Sequence, residues 1–107
     1  MVGLGITVRV EGKNRLEFFQ ACEMLAKTND CAGYCVRQTL FENTEASGEY
    51  LWIEIWKDTD SLETHMRSDR FRSLIGVIEI LGELSTIHRY DISNQESWPV
   101  VGMKGRL

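Results

Sequence analysis

Residues 53–71, IEIWKDTDSLETHMRSDRF, contain the end of an apolar strand pattern and, a few residues later, the start of a helix pattern. Glu54 and Trp56 are two positions apart on the predicted strand, so their side chains share one face of the sheet. Leu62 and His65 are three positions apart on the predicted helix, a spacing that places both on one side of it. We therefore expect the His65 imidazole and the Trp56 indole to face one interior space.

Strand and helix patterns alternate along the rest of the chain. Apolar residues recur at every second position where we predict strands, and at intervals of three and four where we predict helices. The predicted strands are residues 5–11, 33–42, 49–56 and 84–92, and the predicted helices are residues 15–27 and 61–81, the second with an interruption near 68–70. This βαββαβ order is typical of a ferredoxin-like α+β fold, in which both helices cover one face of a four-stranded antiparallel sheet.

Short polar residues and glycines mark the ends of the predicted elements. Asn14, with Glu17 three positions later, and Asp60 are predicted helix N-caps, because their side chains can accept hydrogen bonds from free backbone N–H groups. Gly82 is predicted to end the second helix. The polar turn at residues 43–48 ends in glycine and should join the second and third strands into a hairpin.

The third predicted strand has no side that is suited to water. Both of its faces are apolar, since one carries Tyr50, Trp52 and Trp56 and the other carries Leu51, Ile53 and Ile55. Helices cover one face of the sheet, and we expect a second copy of the chain to cover the other, in a homodimer with its sheets face to face. Residues 93–107 are too polar and glycine-rich for a further strand, and they either lie over the partner subunit or are partly disordered.

Length and composition indicate a single globular domain. The 107 residues are 43% apolar and 26% charged, and we expect one core at about residues 5–92 with a C-terminal extension at 93–107. The net charge of −4, with no basic stripe, argues against a nucleic acid partner. No apolar run is long enough to cross a membrane and the first residues do not resemble a signal peptide, so we expect a cytoplasmic protein.

The cysteines and the known cofactor motifs give no sign of a metal or a nucleotide. Cys22, Cys31 and Cys35 are an odd number of cysteines, and we predict reduced thiols rather than disulfides. The spacing of Cys31 and Cys35 lacks a second ligand pair of the kind that zinc sites use. G-x-G-x-x-G, P-loop and H-E-x-x-H motifs are also absent from the sequence. We therefore expect no metal, flavin or nucleotide cofactor.

The run E-x-W-x5-L-x2-H-x2-S-x2-F, from Glu54 to Phe71, resembles the pattern of the antibiotic biosynthesis monooxygenase family, in particular its quinol-monooxygenase-like members. The resemblance covers roughly residues 5–92. It implies a dimeric α+β barrel and an oxidoreductase that oxidises quinols, polyphenols or similar electron-rich rings with O2. The substrate anion supplies the electrons in such a reaction, without a metal or a flavin. By motif position, the resemblance also implies that Trp56 and His65 are catalytic.

Such a reaction requires an apolar cavity for a planar ring, a base that favours the phenolate and a hydrogen-bond donor for reduced oxygen. His65 is the candidate base or donor, and Trp56 is the candidate wall for the ring and a candidate N–H donor. The candidate substrate-binding residues, chosen by their chemistry and predicted position, are Arg9, Tyr34, Tyr50, Trp52 and Phe71.

Each candidate also has a structural interpretation. Trp52 and Trp56 can be anchors of the core or of a dimer interface. His65 can be a helix histidine that is bonded to a backbone carbonyl, and we predict that His88, on the last strand, is structural or at the surface.

Glu54 is predicted to have a structural role. Side-chain alternation places it on the aromatic face of the third strand, where burial of an unpaired carboxylate costs free energy. We therefore expect it to pair with Arg9 or Arg37.

Two other functions are compatible with the same fold. One branch of the superfamily binds or degrades haem in the same cleft, but its ligating histidine falls where this chain has Ile75, which argues against haem. A dimer that binds a small molecule without catalysis would explain the pocket equally well.

Overall fold

The computed structural model describes residues 1–27 and 34–92. Its elements are β1 (Val2–Arg9), a 3-10 turn (Gly12–Asn14), α1 (Arg15–Lys27), β2 (Cys35–Glu42), β3 (Glu49–Trp56), α2 (Thr59–Met66), α3 (Asp69–Leu81) and β4 (Glu83–Asp91). The strands form one antiparallel sheet in the order β2-β3-β1-β4. The predicted α+β ferredoxin-like fold is confirmed, and the interruption predicted in the second helix divides it into α2 and α3.

The core lies between the helices and one face of the sheet. Alternate residues of the central strands β1 and β3 point into it, because side chains on a strand alternate between the two faces. The core side chains of these two strands are Val2, Leu4, Ile6, Val8, Tyr50, Trp52, Glu54 and Trp56. The helices contribute Phe18, Cys22, Leu62, Phe71, Leu74 and Ile78.

The helix α1 packs on the sheet through one side. Phe18 and Cys22, four residues apart, are both buried, and the Phe18 ring centroid lies 5.5 Å from that of Tyr50. Asn14 immediately precedes α1, and its side-chain amide donates a hydrogen bond to the Leu81 carbonyl at 3.2 Å. This bond connects the start of α1 to the end of α3.

The N-cap of α2 differs from the prediction. The carboxylate of Asp58 accepts a hydrogen bond from the Ser61 backbone N–H at 2.7 Å, whereas Asp60 lies inside the first turn. The prediction of Asp60 as the cap was wrong because an acidic residue is favourable both at the cap and in the first turn, so spacing alone does not separate them. The backbone N–H of Ser61 holds the pKa of Asp58 below its ordinary value of 3.8.

One serine ends α2 and begins α3. The Ser68 hydroxyl donates to the His65 carbonyl at 2.5 Å and accepts from the Phe71 backbone N–H at 3.2 Å. Ser68 is therefore the N-cap of α3, and it fixes how the segment that carries His65 meets the segment that carries Phe71.

The hairpin between β2 and β3 forms as predicted, and its turn requires glycine. Gly48 has a φ of +87°, and its carbonyl accepts from the Val10 N–H at 2.7 Å. A Cβ at this position would lie 2.7 Å from the Val10 carbonyl oxygen, which is too close for any other residue.

The face of the sheet that points away from the helices is uncovered in the single chain. We call it the open sheet face, and it includes Phe41, Leu51, Ile53, Ile55 and Tyr90, which are half-buried or exposed. Tyr90 packs over Gly5, where an added Cβ would lie 3.1 Å from the tyrosine ring. The centre of this face is therefore apolar.

None of the helices that the structure describes is long and apolar enough to cross a membrane. The predictions for Cys31 and for the extension at residues 93–107 fall outside the described residues.

Replacement of Asp58 tests how far its cap stabilises the fold. Asp58→Ala should lower the urea midpoint of unfolding at pH 7, while Asp58→Asn should stay near wild type because asparagine also caps helices. Because the pKa of Asp58 is lowered in the folded state, its contribution is fully present above pH 3.8 and is lost as pH falls through the lower, folded-state pKa. The gap between wild type and Asp58→Ala should therefore narrow in acid. Equal midpoints at pH 7 would contradict the prediction.

Candidate active site

The Glu54 side chain lies at the centre of a buried polar cluster and is only 1% exposed. Its carboxylate oxygens accept hydrogen bonds from the Trp52 indole at 2.9 Å, the Trp56 indole at 3.0 Å and the Gln38 amide at 3.1 Å. The Nε2 atom of His65 lies 3.2 Å from each of the two oxygens. A carboxylate offers about four lone-pair positions, so these partners satisfy the buried group.

Strand geometry explains why these donors meet. The two tryptophans flank Glu54 on the same face of β3 because they are two positions away on either side. Gln38 is directly opposite Glu54 in the β2–β3 pairing. His65 reaches the carboxylate from α2, which packs above this end of the sheet.

The predicted pairing of Glu54 with Arg9 or Arg37 was wrong. Arg9 lies at the far end of β1, opposite Glu49, and Arg37 is adjacent to Gln38 on β2 and so points to the other face. Both arginines are exposed. Neutral N–H groups and an imidazole bond the carboxylate instead, and the Arg70 side chain lines the small void beside Glu54 and His65.

The His65 ring is packed between two aromatic side chains. Its centroid lies 4.6 Å from that of Trp56 with the planes 31° apart, and 5.5 Å from that of Phe71 with the planes 73° apart. The His65 side chain is 8% exposed. Aromatic pairs at such distances contribute about 0.5–1.5 kcal/mol beyond the area they bury, so the imidazole has a defined position and orientation.

A groove opens beside this cluster, between α1 and β2. Its volume is about 320 Å³, within the range of small-molecule sites. We call it the α1–β2 groove, and its lining residues are Phe19, Cys22, Glu23, Ala26, Gln38, Leu40 and Trp52. Gln38 and Trp52 also border a void of about 10 Å³ next to Glu54 and His65, about the space of one water molecule. These two side chains therefore separate the groove from the imidazole.

Cys22 is a thiol at the wall of this groove, but it is not suited to nucleophilic chemistry. Burial raises its pKa to about 11. Because the thiolate is the nucleophile, the protonated thiol acts here as an apolar wall.

The structure brings together four of the residues that were singled out in the sequence. His65, Trp52, Trp56 and Phe71 all lie in the cluster around Glu54. The indole N–H groups of both tryptophans are donated to Glu54, so only the faces of their rings remain for a ligand.

The other three candidates lie elsewhere. Arg9 is exposed at the end of β1, and the Tyr34 side chain is 52% exposed. Tyr50 is buried beside Phe18, its hydroxyl donates to Glu42 at 3.2 Å, and burial raises its pKa. These residues were chosen for their chemistry, and strand alternation could not show which end of the sheet they occupy.

Sequence reasoning did not identify Gln38, and it gave Glu54 a structural role with the wrong partners. The signal for Glu54 was its position between two tryptophans on one strand face, since indoles can only donate hydrogen bonds. The position of Gln38 depends on the hairpin register, which has an irregularity near Cys35 and Arg37. Across residues 1–27 and 34–92, no three His, Cys, Asp or Glu side chains are grouped so that they could hold a metal ion.

Comparison with known proteins agrees with this architecture. A family model described as antibiotic biosynthesis monooxygenase matches residues 1–76. No curated protein sequence matches at a significant level.

Several solved structures have a similar fold. A Deinococcus radiodurans protein named for the same family superposes with a TM-score of 0.79 at 18% identity, over 92% of this chain and 99% of that one. A variant of SnoaB, a cofactor-independent oxygenase from Streptomyces nogalater, gives 0.72 at 19% identity, over 88% and 94%. A Bacteroides thetaiotaomicron protein of unknown function, described as a possible oxidoreductase, gives 0.73 at 22% identity, over 83% and 94%.

Proposed function

The chain belongs to the antibiotic biosynthesis monooxygenase family, and we propose that it is a cofactor-independent monooxygenase that oxidises a quinol-like or polyphenolic ring with O2. The observation that carries this proposal is a buried imidazole, held between Trp56 and Phe71, beside a groove large enough for an aromatic ring. SnoaB, which has a similar fold, is a cofactor-independent oxygenase.

The reaction needs only the substrate and oxygen. A quinol and O2 give a hydroxyquinone and water, so one oxygen atom enters the ring, and the other leaves as water with two hydrogen atoms. The quinol is the reductant for both oxygen atoms. The ring donates electrons more readily as its phenolate, so the task of the protein is to hold the ring and remove a phenolic proton.

We assign these tasks to residues of the cluster. The substrate ring lies in the α1–β2 groove against the face of Trp52, and its hydroxyl points toward His65. Gln38 stands between them, and it is a flexible side chain on an edge strand, so rotation about its side-chain bonds opens the path. His65 acts as the base, and the Trp56 ring holds it in place.

We propose that the protein works as a homodimer formed through the open sheet face. Leu51, Ile53 and Ile55 on this face are half-buried in the single chain, and the exposed rings of Phe41 and Tyr90 extend the apolar surface. An uncovered apolar sheet face of this kind is unfavourable in water, and pairing of identical faces buries it in both copies.

Aerobic incubation with a panel of quinols, polyphenols and anthrones tests the activity. Oxygen uptake with a hydroxylated product, in protein freed of haem and flavin, supports the proposal. A Soret band on titration with haem, together with oxygen uptake only when haem is present, would favour a haem protein instead. Saturable binding of the ring without oxygen uptake would favour a binding module.

Replacement of His65 tests its role as a base. His65→Ala should lower kcat by about 10²-fold or more, the usual effect of removing a positioned acid or base, while Glu79→Ala, at an exposed position on α3, should leave it unchanged. If His65 is only structural, the variant should lose about 1–3 kcal/mol of stability but keep its turnover per folded molecule. Melting temperature and oxygen uptake, measured on one preparation, separate these outcomes.

A charge on the open sheet face tests the dimer. Ile53→Lys should convert the protein into a monomer at micromolar concentration, because a lysine would be buried without a partner in the paired sheets. The control is Ile80→Lys, at a position on α3 that is 80% exposed. Sedimentation equilibrium gives the oligomeric state and circular dichroism shows whether each variant folds. A wild-type protein that is a folded monomer at this concentration would contradict the proposal.

A further inference from the structure

The donors around Glu54 favour one charge state of its carboxyl group. The indole N–H of Trp56 points at Oε1, and the indole N–H of Trp52 and the side-chain amide N–H of Gln38 point at Oε2. An indole nitrogen can only donate. Oε2 already accepts from both Trp52 and Gln38, so a proton on that oxygen would displace one of them, whereas the ionised carboxylate accepts all three hydrogen bonds. The geometry fits the carboxylate.

This carboxylate in turn determines which nitrogen of His65 carries a proton. The Nε2 atom lies 3.2 Å from both Oε1 and Oε2. A bare Nε2 lone pair at this position would face two anionic oxygens, while an Nε2–H would be shared between them. The hydrogen bond made by one ring nitrogen sets the protonation of the other. Neutral His65 therefore has its proton on Nε2 and its lone pair on Nδ1.

We propose that Glu54 is a positioning residue, which holds His65 as the Nε2–H tautomer so that Nδ1 accepts the phenolic proton of the substrate. The phenolic substrate in this inference rests on the proposed function, whereas the tautomer of His65 is argued from the contacts alone. Glu54 acts through His65 and does not touch the ring.

The proton transfer requires only the phenol, His65 and Glu54. The O–H bond of the phenol breaks, its electron pair stays on the oxygen as phenolate, and an N–H bond forms at Nδ1 of His65. The positive charge of the resulting imidazolium lies beside the Glu54 carboxylate, so the pair becomes neutral. The phenolate then reduces O2, and the proton on Nδ1 leaves with the water that the reaction forms.

A purely structural role for Glu54 makes a different prediction. Two tryptophans and a glutamine would satisfy the carboxylate whatever the state of the imidazole, and either tautomer of His65 would then be expected. The tautomer is therefore the property that separates a positioning role from a structural one.

Nitrogen-15 NMR of protein labelled at histidine measures the tautomer directly, without any substrate. In the wild type, the neutral form of His65 should show a protonated Nε2 and a bare Nδ1. A wild-type His65 that is protonated on Nδ1, or that mixes both tautomers, would overturn the proposal before any variant is made. His88, which is opposite Gly5 on the open sheet face and away from Glu54, gives a second imidazole in the same spectrum for comparison.

Glu54→Gln provides the second measurement. A glutamine presents an NH2 group that can donate to Nε2, so the fraction of His65 with a protonated Nδ1 should rise. Glu54→Asp keeps a carboxylate and should keep the Nε2–H tautomer. An unchanged tautomer in a folded Glu54→Gln variant would also overturn the proposal. If that variant does not fold, the wild-type and Glu54→Asp spectra still decide the question.

Kinetics then connects the tautomer to turnover. Once a compound that the protein oxidises is known, its turnover can be measured in the variants. Glu54→Gln should lower kcat by about tenfold or more and leave KM within about twofold, because the residue acts on proton transfer and not on ring binding. Glu54→Asp should recover part of the rate. The absence of any oxidised substrate would count against the proposed function and leave the NMR result standing, so the two failures are distinguishable.

Discussion

The carboxylate of Glu54 is the constraint on which the rest of the structure depends. An ionised group that is 1% exposed costs several kcal/mol unless it is fully hydrogen-bonded. Its partners come from β2, β3 and α2, so the group is satisfied only when the hairpin has its observed register and α2 lies over this end of the sheet. The hydrogen bonds of the polar cluster are thus compatible with this register and this placement of α2.

The caps of the helices contribute to the same arrangement. Asp58 fixes where α2 begins, and Ser68 both ends α2 and begins α3. The helix that carries His65, α2, is therefore only eight residues long and is bounded by a capping side chain at each end. A short, doubly capped helix leaves the imidazole little freedom to leave the carboxylate, and this suits the proposed role of His65 as a base that is oriented before the substrate arrives.

Much of the fold could be predicted from the sequence, but less of the site. The two-residue alternation of LWIEIW and the three- and four-residue spacing of the helices decided the element order and the grouping of Trp52, Trp56 and His65 on one side. Alternation does not give the cross-strand neighbour, so Gln38 was missed. An arginine partner was expected for Glu54 because buried carboxylates are generally paired. The indole N–H groups meet the same need for hydrogen-bond donors.

In the proposed reaction, the electrostatics of the cluster link the charge of the substrate to the state of His65. A phenolate near the buried Glu54 carboxylate would be repelled if the imidazole were neutral, because like charges interact strongly in a poorly solvated site. Once the imidazole has taken the phenolic proton, its positive charge lies next to the carboxylate at 3.2 Å and offsets that repulsion. Formation of the phenolate and protonation of His65 are then one event, and the anion that reduces O2 exists only while the proton stays on the ring. Under the proposed function, the same buried carboxylate that stabilises the fold would therefore disfavour anionic ligands until a proton has been transferred, and it would select for rings that arrive with their hydroxyl groups neutral.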